Sequence, residues 1–412
     1  MNSKGRVIAL MSGGVDSSVA AALLKEQNYD VIGVYILGWT GTEEFPCNWQ
    51  SEEADARTVA SKLEIPFYTV NLSKEYEQAV IDEFFAGYAA GVTPNPDILC
   101  NREIKFKALW QAVRQFEPNY LATGHYAQLR EIRSTKSEIR NSFEIRNSKF
   151  GFTNQAIFKA HDENKDQTYF LWGISREILS HILFPLGDLT KPQVRQLANK
   201  SGLPTATKKD SQGICFIGPL KVRQFLASRL KSKPGVAVLT DGRVIAHHDG
   251  VNLYTIGQRL GAGSVSWTGD VPPLFVIAKD LKNNRLIVGP DSQTYASELV
   301  ASQANWLTEE PFDSLALAQG GFHRQIAMKA KIRYRQEDVD CTVSLKGEEL
   351  LVRFGEPVRA ITPGQSIVFY SEKGQLLGGA VIASVPAADQ IIQKLDGRTD
   401  APAQKKSLTK NG

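Results

Sequence analysis

The N-terminal part of the chain alternates short apolar runs with longer segments in which apolar residues recur at helical spacing. The apolar runs are RVIALM, DVIGVYIL, PFYTVNL and YLATGHY, and helices are predicted over residues 17–25, 52–63 and 75–88 and over REIKFKALWQAVRQF. Apolar runs that alternate with helices in this way are typical of a parallel sheet with helices on both faces. We therefore predict an α/β domain at this end of the chain.

Residues 130–149 interrupt this alternation with a polar repeat, SEIRNS followed at once by FEIRNS. We interpret the repeat as a surface extension of a loop that carries no function. Helical signals resume in DQTYFLWGIS and in LTKPQVRQLANKSG, where Thr190 can cap a helix and Gly202 can end it. The α/β domain is therefore expected to span residues 1–218.

The pattern changes beyond residue 218. After one more helical segment, LKVRQFLASRLK, the chain consists of short alternating runs separated by Gly, Pro, Asp and Asn, which predict hairpins of small β domains. A break within residues 288–303 divides them into a central β-rich domain, residues 219–293, and a C-terminal β-barrel, residues 294–386. The polar tail, residues 387–412, is predicted to be disordered.

Composition limits the class of protein. The 412 residues exceed the size of a single core, and 42% hydrophobic with 22% charged residues is ordinary for a globular chain. The net charge of +4 means that any nucleic-acid surface must come from local clustering. Neither a secretory signal nor a membrane-spanning run is recognised, and the four cysteines form no C-x-x-C pair. We expect a reduced, cytoplasmic protein without a disulfide framework or a Cys-only zinc site.

The segment LMSGGVDSSVAAALL joins the first predicted strand to the first predicted helix. Its glycines let backbone N–H groups approach a phosphate, and the helix N-terminus and the serine hydroxyls add further attraction. No Lys follows the glycines, and neither a G-x-x-x-x-G-K-[ST] nor a G-x-G-x-x-G motif is present. The segment therefore predicts a phosphate-binding loop of another class; a tight turn without a ligand is the alternative.

Two of the four cysteines stand in loop-like motifs. Free cysteine is commonly a small buried hydrophobe, and this interpretation suits Cys47 and Cys341. Cys100 instead follows the turn-rich stretch TPNPDIL, where a helix N-terminus and Lys105 are expected to lower the pKa of its thiol. Cys215 lies in KKDSQGICFIG. We predict that Cys100 and Cys215 form a catalytic pair in the α/β domain.

Basic residues cluster in two places. The stretch KAKIRYR combines four cations with a tyrosine, which suits contact with phosphates and stacking on bases. KVRQFLASRLKSK is a second basic run, although a solvated helix face would explain it equally well. His125, beside the predicted phosphate loop, is a better functional candidate than His247 or His248, which lie in a predicted hairpin.

The segment SGGVDSS resembles the PP-loop of the ATP pyrophosphatases, a motif compatible with amide formation, lysidine formation or RNA thiolation. Together with TPNPDILCN, EIKF, ATGHY, KDQTYFLW, KPQVR, DSQGICFIG, YTIGQR, RYRQ and TPGQSIVFY, it resembles the family of tRNA-specific 2-thiouridylases over residues 5–384. The resemblance implies a three-domain protein with a Rossmann-like PP-loop domain. It further implies ATP- and Mg²⁺-dependent 2-thiolation of the tRNA wobble uridine (position 34), through adenylation of its 2-oxygen and release of AMP and pyrophosphate.

The resemblance also assigns residues to roles. Cys215 is expected to carry a persulfide, Cys100 to act as the nucleophilic partner thiol, and the two to form a transient disulfide. Asp97 is the candidate for acid/base work, although a turn-capping aspartate would look the same. Asn95, Pro96 and Asp97 are expected at the target base, and Asp16 at Mg²⁺. The expected nucleotide contacts are Leu10, Met11, Ser12, Gly13, Gly14, Val15, Asp16, Ser17, Ile36 and Gly124, and the expected tRNA contacts are His125, Lys165, Asp166, Gln167, Arg333, Tyr334 and Gln365.

The implied partners are tRNAs of the Lys, Glu and Gln type and a persulfide donor fed by a cysteine desulfurase relay. The protein is expected to be a monomer that needs no membrane. The sequence does not decide whether an iron–sulfur cluster joins the two thiols, and we do not predict one. Another PP-loop thiolase, an amidating ligase, and a non-catalytic tRNA-binding or sulfur-carrier protein remain as alternatives. The segment GWTGTEEFPCNWQSEE resembles the family only loosely, so the role of Cys47 is open too.

Overall fold

The computed structural model describes residues 3–132, 155–210, 213, 215–217, 222–261, 273–308 and 325–399. Most of the predicted loop extension, from residue 133 to residue 149, lies outside these ranges. Within them the chain forms a parallel α/β unit, a small β unit and a closed β-barrel. The predicted fold class is therefore confirmed.

The N-terminal sheet has five parallel strands in the order β3-β2-β1-β4-β7. These strands are β1 (Arg6–Leu10), β2 (Asp30–Leu37), β3 (Phe67–Asn71), β4 (Tyr120–Ala122) and β7 (Ile182–Leu183). A separate antiparallel ribbon pairs β5 (Gln128–Glu131) with β6 (Gln155–Phe158).

Successive side chains of β1 point to opposite faces of this sheet. Ile8 and Leu10 join one apolar core, and Val7 and Ala9 join the other, followed there by Met11 just after the strand. This period of two, with both faces buried, is what a central parallel strand requires. The helices on both faces of the sheet therefore pack against apolar side chains of β1.

Most helices of this domain lie between the strands. They are α1 (Val15–Glu26), α2 (Trp49–Lys62), α3 (Ser73–Tyr76), α4 (Glu83–Ala89), α5 (Pro96–Leu99), α6 (Leu109–Ala112) and α7 (Lys191–Lys200). Two π-helical segments, Glu77–Asp82 and Cys100–Ala108, continue α3 into α4 and α5 into α6. Such wide turns are rare and often lie at functional sites. Short 3₁₀ turns are Arg114–Phe116, Thr168–Phe170, Glu177–His181, Val251–Leu253 and Asp291–Thr294.

The helix α8 (Val222–Arg229) packs on the core of the α/β unit and precedes the central unit, a four-stranded sheet in the order β10-β11-β8-β9. Its strands are β8 (Gly235–Val238), β9 (Val244–His248), β10 (Phe275–Asp280) and β11 (Arg285–Gly289). The C-terminal barrel closes in the order β12-β15-β14-β13-β16-β17. Its strands are β12 (Tyr295–Trp306), β13 (Ile326–Lys331), β14 (Val339–Lys346), β15 (Glu349–Arg359), β16 (Ser366–Tyr370) and β17 (Leu376–Ser384).

The tail differs from the prediction. Instead of being disordered from residue 387, the chain forms α9 (Pro386–Thr399), and residues 400–412 lie outside the described ranges. Leu395 is buried against the central sheet together with Ile391 and Ile392, and Asp396 pairs with Arg285 at 2.6 Å. These three apolar side chains form one stripe on the helix. The stripe is hard to recognise in the sequence because the rest of the tail is mostly polar.

None of the helices in the described ranges is long and apolar enough to cross a bilayer.

Candidate active site

The loop after β1 has a backbone that only glycine fits. Gly13 has φ +71°, and a Cβ atom there would lie 2.3 Å from the carbonyl oxygen of Glu52. Gly14 then caps α1 in an extended conformation. The first N–H groups of a helix have no partner within the helix, so this turn directs unpaired donors to one point.

Serine hydroxyls hold the loop in shape. The Ser17 hydroxyl donates to the carbonyl oxygen of Gly14 at 3.1 Å and accepts from the Ser12 N–H at 3.1 Å. The Ser12 and Ser17 hydroxyl oxygens lie 3.2 Å apart. Ser12 and Ser17 therefore sit together at the N-terminus of α1, where the sequence predicted that they would bind phosphate.

Two lysines that the sequence analysis did not assign to the phosphate supply the positive charge of this loop. Lys208 donates to the Gly13 carbonyl oxygen at 2.9 Å, and Lys191 donates to both carboxylate oxygens of Asp16 at 2.7 Å. Both lie far along the chain, Lys191 in KPQVR and Lys208 in KKDSQGICFIG, the motif of Cys215, and neither was predicted to lie at the phosphate loop. Ammonium groups, hydroxyls and free N–H groups together are a donor set that fits a polyphosphate.

Lys191 also connects the phosphate loop to the segment that leads to Cys215. Its ammonium nitrogen lies 2.8 Å from Asp210, which pairs with Lys165 and Arg195 as well. Burial raises the pKa of the Asp210 carboxyl, but hydrogen bonds from Lys165 and Lys191 outweigh it and lower the pKa to about 2. One charged network therefore joins the two predicted functional loops.

Asp16, the predicted Mg²⁺ ligand, is engaged by protein groups. Besides the bonds from Lys191, it accepts a hydrogen bond from the Tyr126 hydroxyl at 2.9 Å. In the parts of the chain that the structure describes, no three His, Cys, Asp or Glu side chains form a group that could hold a metal ion. Mg²⁺ commonly binds through one or two carboxylates and substrate phosphates, so Asp16 fits a shared site better than a protein cage.

The remaining predicted nucleotide residues lie beneath and beside the loop. Gly124 packs against α1 so closely that a Cβ atom would lie 2.8 Å from the Ser17 nitrogen. Side chains at this position would therefore push the loop away. The four apolar members of the predicted set, Leu10, Met11, Val15 and Ile36, are all buried.

The two predicted catalytic cysteines meet, although they are distant in sequence. Cys100 begins the π-helical segment after α5, and its thiol forms a hydrogen bond with the sulfur of Cys215. The Lys105 ammonium nitrogen lies 3.6 Å from the same Cys215 sulfur. Both cysteines are free thiols, Cys100 buried and Cys215 partly exposed.

The pKa of the Cys100 thiol shifts against the expectation from sequence. Burial raises it well above the ordinary value, the bond to Cys215 adds to this, and Lys105 only partly opposes it. The expected lowering is wrong because the helix begins at Pro96, so Cys100 lies beyond the first turn in the apolar core. The thiol whose pKa is lowered is Cys215, chiefly because Cys100 donates a hydrogen bond to it and also because of Lys105.

Three side chains hold the backbone around Cys215. Asp97 accepts a hydrogen bond from the Cys215 N–H at 3.0 Å, and Tyr76 donates to the Cys215 carbonyl oxygen at 2.5 Å. The Cys47 thiol donates to the carbonyl oxygen of Phe216 at 3.2 Å. Phe216 has φ +63°, which is strained for a bulky residue. Cys47 is thus more than the buried hydrophobe that we expected.

Comparison with known proteins matches domain families in chain order. The family described as tRNA methyl transferase HUP domain matches residues 5–219, the tRNA methyl transferase PRC-barrel domain matches 223–290, and the aminomethyltransferase beta-barrel domain matches 296–382.

Full-length relatives are more informative. The tRNA-specific 2-thiouridylase MnmA of Streptococcus sanguinis is 43% identical over 397 residues, 95% of this chain and 99% of the relative. The MnmA of Lactococcus lactis strain IL1403 is 43% identical over 94% of this chain and 97% of its own, and that of Levilactobacillus brevis is 44% identical over 95% and 99%. The chain belongs to the MnmA family. The resemblance recognised from the sequence motifs is therefore confirmed.

In this MnmA family member, the loop just before the predicted target-base residues is tied to the barrel. Asn95 caps α5 by accepting a hydrogen bond from Ile98 N–H at 3.4 Å, and Pro96 is the first helical residue. The Gln365 side chain, from the barrel, donates to the carbonyl oxygens of Thr93 and Pro94 at 2.7 and 3.2 Å. The barrel thereby fixes the loop that leads into the helix of Asp97 and Cys100.

Three further predicted tRNA residues form a continuous stretch. The Lys165 side chain pairs with Asp210 at 2.7 Å. The buried Asp166 accepts hydrogen bonds from Thr168, and the Gln167 side chain accepts one from the Tyr126 N–H at 3.0 Å. All three side chains therefore already have partners inside the protein, and Asp166 is buried whereas Lys165 and Gln167 are partly exposed.

The last three predicted tRNA residues differ in exposure. Arg333 donates to the Ala360 carbonyl oxygen at 3.0 Å, and the Tyr334 ring lies against Phe170 with centroids 4.6 Å apart. His125 is buried and bonded to Thr123 at 2.7 Å. Burial, and secondarily the positive charge of Lys105, lower the pKa of His125 well below its ordinary value. His125 is therefore neutral at physiological pH.

Proposed function

We propose that this protein uses ATP to replace the 2-oxygen of the tRNA wobble uridine (position 34) with sulfur. The observation that carries this proposal is the contact between Cys100, Cys215 and Lys105 in the same domain as the phosphate loop. An amidating ligase has no use for such a thiol pair, whereas sulfur transfer depends on one. Membership of the MnmA family supports the same conclusion.

ATP would bind with its phosphates at the N-terminus of α1. Ser12, Ser17 and the N–H groups of the first helical turn supply hydrogen-bond donors, and Lys191 and Lys208 supply charge. Cleavage between the α- and β-phosphates releases pyrophosphate and leaves the adenylyl group on the uridine 2-oxygen. This oxygen, a poor leaving group in uridine, then departs with AMP.

The target base would approach the helix of Asp97 and Cys100. A base must leave its stack to reach an enclosed site, and the wobble base of an anticodon loop is unpaired, which lowers the cost. Asp97 would exchange a proton with the base, and Asn95 and Pro96 would border it. Arg333 is the exposed member of the proposed tRNA surface, Lys165, Gln167, Tyr334 and Gln365 are partly exposed, and the buried His125 and Asp166 would support it from within.

Sulfur would pass through Cys215. The Cys215 thiolate takes a sulfane sulfur from a donor persulfide, and the resulting persulfide attacks the uridine C2 as AMP leaves. The Cys100 sulfur then attacks the Cys215 sulfur, the bond from Cys215 to the transferred sulfur breaks, and a Cys100–Cys215 disulfide forms. An external thiol reductant restores both thiols. Attack by hydrosulfide released from the persulfide is the alternative order of the same steps.

The finer assignments belong to the same proposal. They are tRNAs of the Lys, Glu and Gln type as substrates, a donor supplied by a cysteine desulfurase relay, Mg²⁺ shared between Asp16 and ATP, a monomeric state and a cytoplasmic location.

The test is a reconstituted reaction with ATP, Mg²⁺, a persulfide donor and unmodified tRNA, followed by nucleoside analysis. We expect 2-thiouridine together with AMP and pyrophosphate. Cys215→Ser should abolish the product without weakening tRNA binding, whereas Cys341→Ala, a matched change in the barrel, should not abolish it. AMP formation without sulfur in tRNA would contradict the proposal and favour an amidating ligase.

A further inference from the structure

Lys105 is a cation without a carboxylate partner among the described residues. None of the ion pairs formed within the described ranges includes it, and Glu103, the nearest acid on its own helical segment, pairs with Arg102 and Lys107 at 2.7 Å each. A partly buried ammonium group needs a compensating charge. The group that its nitrogen meets is the sulfur of Cys215, at 3.6 Å.

We propose that Lys105 is a catalytic residue of sulfur transfer, whose ammonium group binds the Cys215 sulfur and stabilises its negative charge while it accepts sulfur. The inference rests on the proposed function, because it requires that sulfur pass through Cys215. In the step concerned, the Cys215 thiolate attacks the terminal sulfur of a donor persulfide. A new S–S bond forms, the donor's S–S bond breaks, and the donor leaves as a thiolate, so no oxidant or reductant is needed.

The other charged and titratable groups around Lys105 support this role. Cys100, on the same helical segment, and Asp97 interact with Lys105, Tyr76 lies near both thiols, and His125 lies near Lys105. Tyr76 and His125 are held neutral, and burial keeps Cys100 protonated, so each presents no full charge to the sulfur. Asp97 opposes a thiolate, since it raises the pKa of the Cys215 thiol. Lys105 is therefore the cation in this set that can offset a negative sulfur at Cys215.

Lys105 also gives the two thiols different roles. It contacts Cys215 directly, whereas Cys100 donates a hydrogen bond to the same sulfur and stays a thiol. A negative sulfur at Cys215 thus has one cationic and one neutral donor. The chemistry of this arrangement makes Cys215 the acceptor of sulfur and reserves Cys100 for the later attack on Cys215.

The test compares Lys105→Met, which removes the charge, with Lys105→Arg, which keeps it. Lys107→Met is the control, since Lys107 lies two residues along, is exposed and pairs with Glu103. Iodoacetamide alkylation of Cys215 is followed against pH by peptide mass spectrometry, without ATP, tRNA or donor. We expect the alkylation midpoint of Lys105→Met to rise by about one pH unit or more. Lys105→Arg and Lys107→Met should stay close to the unaltered protein.

Sulfur loading from a small-molecule persulfide provides the second readout. At a pH below both midpoints, Lys105→Met should load Cys215 roughly tenfold more slowly, and loading should recover at alkaline pH. A merely structural role would lower loading at every pH. An unshifted alkylation midpoint in Lys105→Met would overturn the proposal.

Three results keep this inference separate from the proposed function and from misfolding. If Lys105→Met does not fold, the unaltered protein still decides, because a Cys215 midpoint above that of Cys100 overturns the proposal. If Lys105→Met still thiolates tRNA and its Cys215 alkylation midpoint is unshifted, only the proposed role of Lys105 is excluded. If the alkylation midpoint is shifted in Lys105→Met but the unaltered protein makes no 2-thiouridine, the proposed function is excluded. The role of Lys105 at the Cys215 sulfur is then still supported.

Discussion

Asp97 accepts a hydrogen bond from the backbone N–H of Cys215 at 3.0 Å. Asp97 lies in the first turn of the helix that leads to Cys100, so one carboxylate connects the segment of the partner thiol to the loop of the proposed sulfur carrier. The same carboxylate is our candidate for proton transfer to or from the base. A structural role and a chemical role therefore coincide at one side chain.

Two substitutions at Asp97 separate these roles. Asp97→Asn retains an oxygen that can accept from the Cys215 N–H but cannot exchange a proton, whereas Asp97→Ala loses both functions. We expect both variants to lose thiolation by about 10²-fold or more, since that is the usual contribution of a general acid or base. Sulfur loading of Cys215 should persist in Asp97→Asn and fall in Asp97→Ala. Full thiolation by Asp97→Asn would reduce Asp97 to an anchor of the loop.

Lys191 should be required for ATP binding. Lys191→Met removes a charge-assisted donor and leaves Asp16 without its ion-pair partner, so the Asp16 carboxylate would repel the phosphates, while Asp210 keeps Lys165 and Arg195. We expect ATP affinity, measured by equilibrium dialysis, to fall about tenfold or more. Lys200→Met, at the exposed end of the same helix, is the control and should bind ATP normally. Equal affinity of the two variants would rule out Lys191 as a phosphate ligand.

Gly13 and Gly14 should respond differently to alanine. At Gly13 a Cβ atom would clash with the Glu52 carbonyl oxygen, and φ +71° alone costs roughly 1–2 kcal/mol for a residue other than glycine. At Gly14, with φ −96°, the nearest atom to a Cβ is the Ser12 hydroxyl oxygen at 3.4 Å. Thermal denaturation should show a clear loss of stability for Gly13→Ala and a small change for Gly14→Ala. Equal melting temperatures would contradict this account of the loop.

The C-terminal helix should contribute to the stability of the central unit. Leu395 is 3% exposed and packs with Val238, Ile277 and Ile287, so Leu395→Ala should lower the free energy of unfolding by about 2–5 kcal/mol. Gln393→Ala, on the exposed side of the helix, is the matched control. Chemical denaturation followed by fluorescence provides the measurement. If Leu395→Ala were as stable as Gln393→Ala, the helix would not be packed on the sheet.

The fold could be predicted where local patterns agree with the tertiary structure. The apolar run of β1 and the glycines after it predicted both the parallel sheet and the phosphate loop, because a buried strand and a tight turn leave direct signals in the sequence. The helix of Leu395 left a weaker signal. Its apolar stripe is short and surrounded by polar residues, and its stability comes from the central sheet rather than from its own composition.

The site could be predicted in its residues but not in its electrostatics. Cys100 and Cys215 were recognised from their motifs, yet the thiol with the lowered pKa was misassigned, because burial of Cys100 and the direction of Lys105 depend on tertiary packing. Lys191 was missed for a similar reason. Its side chain reaches Asp16 from a helix far along the chain, and the spacing of residues in the sequence does not predict this contact.

The most direct test of the central claim follows one sulfur atom. The protein is loaded with labelled persulfide sulfur, freed of donor, and given ATP and unmodified tRNA for a single turnover. We predict that the label starts on Cys215, ends in 2-thiouridine, and leaves a Cys100–Cys215 disulfide, whereas Cys100→Ser loads normally and forms no disulfide. Label that loads on Cys100, or that stays on Cys215 after ATP and tRNA are added, would contradict the account.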